Sequence, residues 1–111
     1  MRKFKSGATR NSDEDKLDYE GFMCPLVEKR YAEYMHKHRK QEDGVIRASD
    51  NWQGGFDSEK ESHEESCMKS AKRHLHEWWT VHRGYEGEDI EESICALVFN
   101  ANAYLHKRLK K

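Results

Sequence analysis

One stretch, "ICALVFNANAYL" at residues 94–105, constrains the fold more than any other. It is apolar nearly all round at helical rotation, so it has to be covered by its neighbours. It predicts the most buried helix of the chain. A capping pattern at residues 89–92 opens that helix, which extends toward residue 109. Ser93, Asn100 and Lys107 are seven apart and share one seam of it. A buried amide without partners costs roughly 1–3 kcal/mol, so Asn100 is either bonded structurally or faces a site.

A second helix precedes it and contains "KRHLHEWWTVHRG", residues 72–84. Two S-x-x-E patterns, Ser58 to Glu61 and Ser62 to Glu65, offer capping boxes for its start. Gly84 suits its C′ position. The spacing predicts a stripe of Met68, Ala71, Leu75, Trp78 and Trp79, with His82 on the same side and His74 at the border. Pro25 fits the first turn of another amphipathic helix over about residues 25–40, with Val27, Tyr31, Tyr34, Met35 and His38 on its stripe. Between these helices, Gly44, Gly54 and Gly55 mark a long loop. Residues 1–20 are polar and read as an arm, and residues 21–111 as a single domain. The expectation is an all-α domain of three main helices with a long loop, assembling as an oligomeric helical bundle.

Composition bounds the partners. The 111 residues fit one domain, and 35% hydrophobic against 37% charged residues leave only a modest core, so self-association is expected. Three Trp, five Tyr and four Phe nonetheless argue for a folded protein. Twenty basic residues balance 21 acidic ones. That leaves no global basic field, so duplex nucleic acid is not the expected partner. Short basic segments at the two ends are solvated termini or phosphate contacts. Cys24, Cys67 and Cys95 are few, odd in number and widely spaced, which fits a reducing cytosol. No apolar run reaches a membrane span.

Several groupings carry possible chemistry. His74 and Glu77, three apart on a helix, can reach one point and suit a divalent metal. Glu91 and Glu92 would add oxygen ligands if antiparallel packing brought them near; otherwise these are solvated edge residues. Trp52 beside Asn51 can stack on a base while the amide reads its edge, or Trp52 can fold back as a lid on the core. His63 and Cys67 are four apart but have no second ligand pair at zinc-finger spacing. No phosphate-binding loop, nucleophile elbow or dinucleotide fingerprint occurs.

The ordered segments "GATRNSDEDKLDYEGF", "RYAEYMHKHR", "SDNWQGG", "AKRHLHEWW" and "ALVFNANAYL" resemble the family of phage dATP/dGTP diphosphohydrolase N-terminal domains. That family looks like a distant relative of the all-α, MazG-like nucleotide pyrophosphohydrolases. The resemblance spans about residues 7–105. Its most specific pieces are Lys16, Leu17 and Asp18, then Asn51 with Trp52, Arg73 with His74, and Asn100. It implies a helical fold that assembles as a dimer or higher oligomer, in the cytoplasm of a bacterial host if phage-encoded. It implies a deoxynucleoside triphosphate pocket, purine-preferring, and Mg²⁺- or Mn²⁺-assisted attack of water releasing a nucleoside monophosphate and pyrophosphate. On that reading His74, Glu77 and Glu92 hold metal, and Glu77 and Glu92 are catalytic. Lys16, Asp18, Arg30 and Arg73 then belong to the substrate site, with basic side chains on phosphates. Asn51 and Asn100 orient the substrate and Trp52 stacks on the base.

The chain also departs from the MazG-like pattern. Where EExxE is expected it reads "RHLHE", keeping Glu77 alone, and where ExxD is expected it reads "EESIC", keeping Glu92 but placing Cys95 for Asp. Those departures motivate an alternative: a protein of the same fold that sequesters a nucleotide, signalling nucleotides included, without hydrolysing it. A small helical protein that blocks a host factor is a third reading.

Overall fold

A computed structural model describes residues 15–57 and 62–110. They form four helices: α1 Pro25–Lys37, α2 Asn51–Asp57, α3 Ser62–His82 and α4 Ile90–Leu109. Among the described residues there is no strand, only one isolated antiparallel bridge between Lys40 and Ile46. The all-α expectation holds at this level.

The expected three helices gain a fourth, because residues 51–57 are helical where two glycines pointed to loop. Open space surrounds the position of a Cβ at both Gly54 and Gly55, so close packing does not require them. What the short helix gains is a dock. Trp52 lies edge-on to Phe99 of α4 at 5.8 Å and to His106 at 5.2 Å. Tertiary burial of this kind overrides weak local propensity.

The helix ends follow the chemistry of their residues. Pro25 occupies the first turn of α1, where its missing N–H costs nothing. Gly84, at φ +91°, closes α3: its N–H reaches the Val81 carbonyl at 2.9 Å, and the Tyr85 N–H reaches Thr80 at 3.2 Å. That pair of bonds is a Schellman motif. Asp89 caps α4 by accepting the Glu91 N–H at 2.9 Å. Ser62 opens α3, whereas the Ser58–Glu61 pattern and residues 1–14 of the polar arm lie outside the described residues.

The core is the seam between α3 and α4, and it is narrow. Cys67, Ser93, Cys95, Ala96, Ala103 and Lys107 are buried. Ser93 and Lys107 sit on the expected seam of α4 with Asn100, which is half-buried. The face of α3 differs from the expected stripe. Cys67 is buried and Ala71, His74, Glu77 and Trp78 are half-buried, while Met68, Leu75 and Trp79 are exposed. The small side chains Ser93, Ala96 and Ala103 let the small Cys67–Ala71 edge of α3 approach, and Ser93 gives Glu77 a donor. The helix is therefore rotated about one residue away from its bulkiest stripe.

No helix of the described residues is long and apolar enough to cross a membrane.

Candidate functional site

A half-open cleft of about 260 Å³ lies where α1, the α1–α2 connection, α2 and α4 meet. The connection is a tight turn. Gly44, at φ +80°, donates to Gln41 at 2.9 Å, and Gln41 donates to Val45 at 3.0 Å. Asp43 accepts the Val45 N–H at 2.9 Å, a side chain standing in for a backbone turn. At the base of this turn the Arg47 N–H reaches the Arg39 carbonyl, and Arg39 Nε returns a bond of 2.8 Å to the Arg47 carbonyl. Reciprocal bonds thus hold two arginines side by side at the cleft. Arg47 also pairs with Asp43 at 2.9 Å.

Aromatic and amide groups complete the lining. Tyr34, Met35 and His38 come from α1, Asn51 and Trp52 from α2, and Phe99 from α4. The Tyr34 and His38 rings lie 4.4 Å apart. Burial pushes the Tyr34 hydroxyl up from its ordinary range. Burial, and then the charge of Lys37, hold the His38 imidazole below its ordinary range. Among the described residues no aspartate or glutamate lines the cleft.

Of the residues expected to bind substrate, the cleft collects Asn51 and Trp52 only. Trp52 folds back over α4, the lid alternative, and also lines the cleft. The others have different partners. Asp18 accepts the Gly21 N–H at 2.8 Å and holds a turn. Lys16 is exposed. Arg73 donates to Ser70 at 2.9 Å on its own helix. Asn100 Nδ2 donates to the Ala96 carbonyl at 2.8 Å, the structural alternative for that amide. Arg30 bonds Glu91 at 2.7 Å and Glu92 at 3.0 Å. The bond to Glu91 raises the Arg30 guanidinium pKa further.

The expected metal ligands are divided in the same way. His74 Nδ1 and Glu77 Oε2 lie 3.0 Å apart, and Ser93 Oγ donates to the same carboxylate oxygen at 3.5 Å. Glu92 belongs to a different set, ion-paired with Arg30 and Lys37. Among the described residues no group of three or more His, Cys, Asp or Glu side chains converges as a metal would need. The donor set therefore does not fit a magnesium or manganese cage: a carboxylate already neutralised by two cations offers little to a third.

The arginine pair was missed in the sequence. Its signal is faint: Arg39 and Arg47 flank a turn centred on Gly44, eight residues apart. Tyr34, Met35 and His38 were legible as a stripe, but only as packing. No family model matches this chain, and neither a curated protein nor a solved structure does.

Proposed function

We propose that this chain binds a nucleotide in the α1–α2–α4 cleft and holds it without hydrolysing it, as a self-associating cytosolic protein of phage type. The carrying observation is the lining: two arginines, an amide and stackable rings, with no carboxylate among the described lining residues. Guanidinium groups suit phosphate oxygens, and a Trp or Tyr face suits a base. The lining favours an anionic ligand: among the described residues Arg39 is ion-paired to no carboxylate, and Arg47 is shared between the cleft and Asp43. At about 260 Å³ the cleft admits a base and sugar, with phosphates running toward Arg39 and Arg47.

The hydrolytic reading, a Mg²⁺- or Mn²⁺-dependent purine deoxynucleoside triphosphate pyrophosphohydrolase, rests on the resemblance and on the His74–Glu77 bond. It requires Glu92 to exchange Arg30 and Lys37 for a metal. Incubating the protein with each deoxynucleoside triphosphate and Mn²⁺ separates the two readings. Sequestration predicts a thermal shift with no pyrophosphate release. Release that is lost in Glu77→Gln, with folding intact, would establish the hydrolase instead.

A further inference from the structure

We propose that residues 17–27 form a self-association surface that seats the same segment of a second copy of this chain. Leu17, Tyr19, Phe22, Met23, Leu26 and Val27 are each between 54% and 78% exposed. They fall within eleven consecutive residues. Val27 belongs to the same stripe as Tyr31 and Tyr34, whose rings are half-buried. The apolar face of α1 is therefore docked along its C-terminal half and overhangs at its N-terminal end.

The size of this ledge fits an interface. Six large side chains at that exposure leave on the order of 700 Å² in water. A typical monomer exposes apolar patches of about 300–600 Å², and each partner in a standard interface contributes about 800 Å². The interior supplies the reason for a second copy. Among the described residues the largest fully buried side chain is a serine, and α1 buries none. A protomer with so thin a core gains most from a partner that is always present at its own concentration, which is another copy. Like segments meeting about a two-fold axis close the assembly after two chains.

The inference depends on the self-association part of the functional reading and not on the cleft, so nucleotide binding by a monomer would remove this proposal alone. Sedimentation equilibrium of the full chain should give twice the 13.2 kDa of one chain. Replacing Phe22→Asp and Leu26→Asp together, at positions exposed in the protomer, should return the mass to a single chain with helical circular dichroism retained. Cys24 supplies a second measurement on the unaltered sequence. It is exposed within the ledge, while Cys67 and Cys95 are buried. A nitroxide on Cys24 should show a short intermolecular distance by pulsed electron paramagnetic resonance. A single-chain mass at every concentration would overturn the proposal. So would a dimer that survives the double substitution with no coupling between labels. A chain that dimerises only after residues 1–14 are removed would also overturn it, and would assign the ledge to the chain's own N-terminus.

Discussion

At the scale of single residues, two side chains make the account testable. His38 lines the cleft between Lys37 and Arg39, against the Tyr34 ring. Its imidazole is held below the ordinary 6.5, by burial first and by Lys37 second. A group whose folded pKa is depressed takes up its proton more readily in the unfolded chain. Its stabilising share is therefore present above the unfolded value and declines as pH falls below about 6.5. Denaturant midpoints should drop between pH 7.5 and pH 5.5, and His38→Gln should flatten that drop; equal slopes would refute the assignment. Gly84 is the second case. At φ +91° an alanine is strained whatever the space around it. Gly84→Ala should cost about 1 kcal/mol, read as a shift in thermal midpoint.

At the scale of elements, α1 and α4 are held differently from α3 and α4. The α3–α4 seam closes on small side chains, with Ala103 and Ser93 fully buried. By contrast α1 meets α4 through Arg30 and Lys37 on Glu91 and Glu92, with half-buried tyrosines beside them. Partly exposed ion pairs weaken as salt shortens the Debye length to about 3 Å at 1 M. Hydrogen exchange at 1 M salt should therefore rise across α1 while α3 and α4 stay protected; a uniform rise across all three would count against this division. Much of this element plan was legible in the sequence. Pro25, Asp89 and Gly84 marked helix ends through local backbone chemistry, and the Ser93–Asn100–Lys107 seam followed from rotation alone. The rotation of α3 was not legible, because it depends on which α4 side chains are small enough to approach. Nor was α2, which exists by virtue of Trp52 meeting Phe99 and His106, a contact 47 residues or more along the chain. The cleft was half legible for the same reason. Asn51 and Trp52 stood out as an unusual loop pair, whereas Arg39 and Arg47 become neighbours only when the turn closes.

At the scale of the whole molecule, the core of the described residues is thin: a serine is its largest fully buried side chain, and α1 buries none. The cleft walls lie on separate elements: α1 held by ion pairs and half-buried tyrosines, α2 docked through Trp52, and a turn closed by reciprocal arginine bonds. Ligand binding across those walls should raise overall stability, because only the assembled cleft recognises the ligand. The decisive measurement is isothermal calorimetry of the full chain with dATP, dGTP and a cyclic dinucleotide, each with and without Mn²⁺. The account predicts saturable heat with at least one of them, unchanged by Mn²⁺ and without pyrophosphate release. It also predicts affinity at least about fivefold weaker in Trp52→Ala, the least that losing one base–aromatic stack costs, with any loosening of the α2 dock adding to it. No heat with any nucleotide, or binding that persists undiminished in Trp52→Ala, would contradict it.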